Sequence, residues 1–223
     1  MQWLSQKKED ILDQYEVVII GSGYGGAVAA SLLARDGLHV CLLERGKEIV
    51  PGEYPNNINK ILKEVQLDIR SGHYGPATGL FNIHCNKEMN IILGCGLGGT
   101  SLIDAGQCLR PNPQVFQDLI WPEAIRNNNG IEKYYQKAEA MLRPSQTPIL
   151  NSSLDKYNAM EQLVHEVPLT AKILRSKLAI NFENFSNNLN HVGVQQNPCV
   201  YCGDFLTGCN YSAKKYTPHE LST

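Results

Sequence analysis

Residues 15–26 read YEVVIIGSGYGG, and the run that follows, AVAASLLARDGLHVCLLE, closes on Glu44. An apolar strand over Glu16–Ile20 runs into glycines spaced G-x-G-x-x-G at Gly21, Gly23 and Gly26. A helix is expected over Gly25–Arg35, closed by Asp36-Gly37 in the way a C-terminal glycine closes helices. A second apolar strand, Val40–Glu44, ends in an acid. The three elements make one βαβ unit, for which a parallel pairing with a right-handed crossover is the default.

Each residue type in this stretch has a physical reason to be there. Gly21 permits the tight turn off the strand. Gly23, without a Cβ, lets the main chain approach a pyrophosphate, and Gly26 lets the helix pack closely on the strand. Tyr24 and Gly25 complete the turn. The helix N-terminus offers free N–H groups and partial positive charge to phosphates. Glu44 lies about 20 residues beyond the first glycine, where an acid hydrogen-bonds an adenosine ribose. It would repel a 2′-phosphate, a repulsion softened by Arg45 beside it.

Composition narrows the remaining choices. The 223 residues carry 20 basic and 22 acidic side chains and a formal charge of −2. Neither a basic excess for nucleic acid nor a charge block for a disordered tail is present. Residues 1–14, MQWLSQKKEDILDQ, are polar and helical in character, without the apolar core of a signal peptide. No run reaches the roughly 18 apolar residues of a transmembrane helix. The six histidines are scattered singly and none is read as a metal ligand. Seven cysteines, several in apolar or glycine-rich segments, fit reduced thiols in the cytoplasm.

A second glycine cluster, GCGLGGTSLIDAG, spans residues 94–106. Gly94, Gly98 and Gly99 with Thr100 and Ser101 could present successive N–H groups to an anion. Thr100 or Ser101 could cap a following helix. On spacing alone the run is equally an ordinary glycine-rich connector. Between the clusters, the apolar positions of Asn59–Arg70 suggest a helix, and Leu80–His84 and Asn90–Leu93 suggest strands. Further on, Ile131–Leu142 and Leu154–Val167 suggest helices and Ser176–Phe182 a short strand.

The ordered series GSGYGGAVAA, LLERG, PGEYP and GCGLGGTSLIDAGQCLRP resembles the glucose–methanol–choline family of flavin oxidoreductases, in its cholesterol-oxidase-like branch. The likeness runs from Tyr15 to about Lys214. It implies an α/β fold: an incomplete FAD-binding Rossmann-like domain with part of a second, α+β substrate domain. On this basis residues 1–14 form a polar N-terminal segment and residues 15–112 the Rossmann-like portion. Residues 113–198 form a mainly helical start of the substrate domain, and residues 199–223 a cysteine loop and tail.

The resemblance implies FAD as cofactor. Gly21, Gly23 and Gly26 would hold the pyrophosphate, Glu44 the ribose, and Gly98 to Ser101 the flavin side, so that the two loops grip opposite ends of one molecule. Asp104 stands where the family usually has Asn or His. Its negative charge would disfavour a reduced, anionic flavin. The implied chemistry is hydride transfer from the CH–OH group of a small-molecule alcohol, steroid-like in this branch, to flavin N5. A nicotinamide-dependent Rossmann dehydrogenase and a non-catalytic nucleotide-binding fragment are the competing readings.

Cys199, Cys202 and Cys209 form a C-x₂-C-x₆-C run. Zinc and iron–sulfur sites usually take four ligands, so structural thiols are expected. Ser212-Ala213-Lys214-Lys215 begins a stretch that the family continues at length, and then the sequence departs over Tyr216–Thr223. The expectation is a truncated or split member that lacks the family's catalytic His, with a complementing C-terminal chain as partner. No catalytic residue is assigned.

Overall fold

The computed structural model describes residues 3–126, 130–148, 155–166 and 174–216. Two compact units divide the chain, Met1–Gly106 with Glu183–Thr223, and Gln107–Phe182.

The first unit opens with the expected βαβ element. Strand β1 (Val17–Ile20), helix α1 (Tyr24–Arg35) and strand β2 (Val40–Leu43) follow one another. β1 and β2 pair in parallel, Val17 opposite Val40 through Ile20 opposite Leu43. Gly37 turns the chain out of α1 at φ +91°. The Ile19 methyl points at Gly26 of α1. Strand alternation therefore puts Val18 and Ile20 on the opposite face, where they are 53% and 87% exposed. The N-terminal segment is not the helix its composition suggested. It forms one 3₁₀ turn, Lys8–Asp10. The Leu4 and Ser5 amides donate to the Glu48 carboxylate at 2.9 and 2.7 Å.

The expected helix over Asn59–Arg70 is corrected. α2 covers only Ile58–Lys63, capped by the Asn57 side chain. Val65–Ile69 is strand β3. The apolar positions Ile61, Leu62 and Val65 satisfy a helical period, but Val65, Leu67 and Ile69 alternate with Gln66 and Asp68, and this period of two prevails. β3 finds backbone partners on both sides, antiparallel β4 (Gly72–Tyr74) and parallel β5 (Phe81–His84). β6 (Ile91–Gly94) pairs antiparallel with β5 and delivers the chain to the second glycine cluster. Asp68 ties three of these strands together. It accepts from His73 Nδ1 at 2.7 Å and lies 3.3 Å from His84 Nδ1.

The core of this unit is Tyr54, Leu80, Phe81, Leu102, Ile103 and Tyr216. Its residues come from both ends of the unit's sequence. Asn210 reinforces that closure, accepting from the Gly52 and Tyr54 amides at 3.0 and 2.9 Å. Burial pushes the Tyr54 and Tyr216 phenols well above their ordinary value.

The second unit holds α3 (Glu123–Arg126), α4 (Glu132–Leu142), β7 (Ser145–Gln146), α5 (Asp155–Glu166) and β8 (Lys177–Leu178). The strand expected over Ser176–Phe182 shortens to the two residues of β8, paired antiparallel with β7. Arg110 binds Glu139 and Glu132 of α4 at 2.7 and 2.8 Å and stacks on Tyr135. The expected ends of α5 at Leu154 and Val167, and the tail beyond Tyr216, lie outside the described residues.

Candidate functional site

The site is built where β1 meets α1. Gly21 turns off the strand at φ +91°. A Cβ on Gly26 would sit 1.9 Å from the Gly21 carbonyl oxygen, so only glycine allows α1 to lie this close to the turn. Gly23 is the N-cap of α1 and supplies no side-chain cap. Cβ atoms placed on Gly21, Gly23 or Gly25 would meet nothing within 4 Å. The uncapped helix start therefore borders open space walled by glycine, a cradle suited to an anion that approaches the main chain.

The second cluster lies against the first. Gly98 and Gly99 take φ +117° and +56°. A Cβ on Gly99 would come within 2.8 Å of Gly23 Cα, and one on Gly94 within 2.3 Å of the Gly99 carbonyl oxygen. The loops expected to hold opposite ends of a ligand thus form one continuous surface. Ser22 is the reason. The Gly98 amide donates to Ser22 Oγ at 2.9 Å, locking the second loop to the first turn.

Ser22 also fixes Glu44. Its amide and hydroxyl donate to Glu44 Oε2 at 2.9 and 2.7 Å, while the Gly46 amide donates to Oε1 at 2.8 Å. A carboxylate offers about four acceptor positions. Three are engaged, and capacity for one further hydroxyl remains. Arg45 turns away from this carboxylate, its Nη1 3.4 Å from Gln66 Oε1 on β3.

Neither hydroxyl of the second cluster caps a helix as expected. Gly99–Leu102 is itself a 3₁₀ turn. Thr100 Oγ1 accepts from the Gly94 amide at 3.2 Å, and Ser101 Oγ donates back to the Gly98 carbonyl at 2.8 Å. Both side chains shape the loop from within.

Asp104 closes the cluster, and its charge is not left alone. Oδ2 accepts from the Tyr24 hydroxyl at the start of α1. Oδ1 accepts from the Gly106 amide at 2.8 Å and pairs with Lys214 Nζ at 2.8 Å. Lys214 is buried, and desolvation lowers its pKa against the raising effect of Asp104. The uncompensated anion inferred from sequence is therefore half of an ion pair. Ser22 and Lys214 were both missed from the sequence. The signal for Lys214 was Asp104 itself, since an acid at a partly buried position requires a cation.

The cysteine segment packs beside this site. Cys209 Sγ accepts from the Ala213 amide at 3.3 Å. Burial pushes the Cys199 thiol up. Among the described residues no three or more His, Cys, Asp or Glu side chains are grouped to hold a metal ion.

A parallel βαβ unit with a glycine turn, an uncapped helix start and an acid ending the second strand defines a Rossmann-like nucleotide-binding fold. A family model described as NAD(P)-binding Rossmann-like domain matches residues 19–52. A cholesterol oxidase of Mycobacterium tuberculosis (strain ATCC 25618 / H37Rv) is 26% identical over 213 residues, covering 90% of this chain and 35% of that protein. The long-chain-alcohol oxidase FAO3 of Arabidopsis thaliana is 25% identical over 217 residues, 95% of this chain and 25% of that protein. The GMC-type oxidoreductase Rv0492c of M. tuberculosis is 31% identical over 138 residues, 60% of this chain and 20% of that protein. Over nine-tenths of its length the chain is thus similar to a cholesterol oxidase and a long-chain-alcohol oxidase, and over 60% of it to a GMC-type oxidoreductase. It spans about a third of the length of the cholesterol oxidase it matches.

Proposed function

We propose that this chain is the dinucleotide-holding portion of a flavin oxidoreductase that binds FAD and oxidises the CH–OH group of an alcohol, sterol-like or long-chain. The observation that carries the reading is the contact of the two glycine loops at Gly23 and Gly99 beside an uncapped helix start. A single βαβ unit needs only the first loop. The names of the relatives support the alcohol, and the resemblance to the glucose–methanol–choline family supports the flavin.

The residues fit the group. Main-chain amides from Gly23 to Gly26 would hold the diphosphate, and the remaining acceptor position of Glu44 would take a ribose hydroxyl. Gly94, Gly98, Gly99, Thr100 and Ser101 would set the wall on the flavin side, with Asp104 at its end. When bound, the flavin accepts hydride at N5, and the protein orients and tunes it. The chain's own part is to hold the anion on fixed dipoles, which need no reorganisation on binding. We assign no catalytic base.

The longer relatives and the exposed Val18 and Ile20 support a second segment that completes the sheet beside β1, in the same polypeptide or a separate one. Among the described residues β1 pairs only with β2. We place the protein in the cytoplasm on the ground that its seven cysteines are odd in number and several lie in apolar or glycine-rich segments, as reduced thiols do. Among the described residues no helix is long and apolar enough to cross a membrane.

A nicotinamide dinucleotide is the second reading, favoured by the description of the matching family model. Calorimetric titration of the full chain with FAD, ADP and NAD separates the two. FAD and ADP are expected to bind, with NAD weaker by about tenfold or more, a difference of about 1.4 kcal/mol. NAD binding as tightly as FAD would overturn the flavin assignment, and no binding of ADP would overturn the dinucleotide site.

A further inference from the structure

The Asp104–Lys214 pair joins the end of the second glycine cluster to a segment that neither glycine motif contains. Lys214 has a side chain 1% exposed and Asp104 one 20% exposed. Every donor of the ammonium has an acceptor in reach: Asp104 Oδ1 at 2.8 Å, the Leu102 carbonyl at 3.2 Å and the Phe205 carbonyl at 3.5 Å. The carboxylate is equally occupied, by Lys214, the Gly106 amide and the Tyr24 hydroxyl. Tyr24 directly follows Gly23, the residue that touches Gly99. The network therefore runs from the start of α1, through the end of the second loop, to the segment around Lys214.

We propose that Lys214 is a positioning residue of the dinucleotide site, whose buried ammonium neutralises Asp104 so that this carboxylate can fasten the two glycine loops together without repelling the diphosphate. The inference rests on the dinucleotide reading above. A carboxylate is a poor neighbour for an anion cradle, because like charges at close range raise the free energy of the bound state. It is tolerated here because the opposite charge is fixed at hydrogen-bond distance on a lysine whose own side chain is sealed from water. Each charge justifies the burial of the other. The competing view is that the pair merely staples the Lys214 segment to the core. A staple would affect every ligand alike, whereas a neutralising charge acts on charged ligands.

The test uses the full chain with Lys214→Met, Asp104→Asn and the double variant, titrated with ADP and with adenosine. Lys214→Met is expected to weaken ADP by about tenfold, with adenosine unchanged within about twofold. The double variant, with neither charge, is expected to bring ADP back to within about threefold of the original chain. Should Lys214→Met fail to fold, Asp104→Asn answers with the opposite sign. It preserves shape and leaves an extra positive charge, so ADP tightens relative to adenosine. Equal losses for ADP and adenosine, or a double variant no better than Lys214→Met, would overturn the proposal. If the original chain binds adenosine but not ADP, the dinucleotide reading has failed and this inference falls with it.

Discussion

Ser22 Oγ lies 2.7 Å from Glu44 Oε2, and together with the Ser22 amide on the same oxygen it joins the glycine turn after β1 to the acid after β2. Ser22 is fully buried and its oxygen also accepts from the Gly98 amide. One hydroxyl therefore sets the position of the acid and of both glycine loops. Hydrogen bonds to charged groups contribute about 1.5–3 kcal/mol each, and a buried amide left without its partner costs a similar amount.

Ser22→Ala should accordingly destabilise the chain by about 2 kcal/mol in urea unfolding. It should also weaken ADP, because Glu44 loses one of its three donors and Gly98 its acceptor. Ser22→Thr keeps the hydroxyl and tests whether the loss is chemical or steric. Full stability and unchanged ADP affinity in Ser22→Ala would show that the contact does not organise the site.

The glycines of the first turn should separate by role. Gly26→Ala drives a Cβ to 1.9 Å from the Gly21 carbonyl oxygen, and backbone on both sides must move. A loss of about 3 kcal/mol or more is expected, at the upper end for overpacked sites. Gly23→Ala meets nothing within 4 Å in the protein and should fold normally. Its methyl group would instead occupy space needed by a diphosphate, so ADP affinity should fall while the melting temperature holds. Loss of fold in Gly23→Ala, or tight ADP binding by it, would contradict this division.

Alkaline stability should be governed by the tyrosine pair of the core. Tyr54 and Tyr216 stack with ring centroids 5.8 Å apart, and burial raises both phenol pKa values above the ordinary 10.0. The unfolded chain releases these protons as pH passes 10.0, while the folded chain retains them up to the raised values. Stability is therefore full below that pH and declines above it. Tyrosinate absorbance of the pair should appear together with loss of the far-ultraviolet signal. Tyr54→Phe should make the alkaline decline shallower. Ionisation of the pair ahead of unfolding would refute this account.

What the sequence disclosed and what it hid follow a physical division. The turn Gly21–Gly26 and the acid Glu44 were legible because their roles depend on backbone conformation and on spacing within one βαβ unit. Ser22, Lys214 and the pairing of Tyr24 with Asp104 depend on partners remote in the chain, and no local pattern announces them. Val65–Ile69 was misread as helix because a few apolar residues can satisfy both periods. Pairing with β4 and β5 decided the outcome, and that pairing is tertiary. The relation of the two loops was missed for the same reason, since it depends on where β6 delivers Gly94.

Ile20 offers the most direct test of the segment proposed to complete the sheet. It ends β1, is 87% exposed, and shares its face with Val18. β1 pairs only with β2 among the described residues, so a further strand can add at its edge while the segment that carries it lies over the apolar face. Covering such a side chain is worth about 1.5–3 kcal/mol relative to leaving it in water. Ile20→Lys should therefore leave the isolated chain equally stable and more soluble. It should weaken association with a polypeptide that supplies the remaining two-thirds of the relatives' length by about tenfold or more, the affinity equivalent of losing that contact. Sedimentation of the mixed polypeptides reads the association, and urea unfolding of the isolated chain reads the control. If Ile20→Lys destabilises the isolated chain, the side chain packs within it. If association is unaffected, the completing segment does not pack over this face.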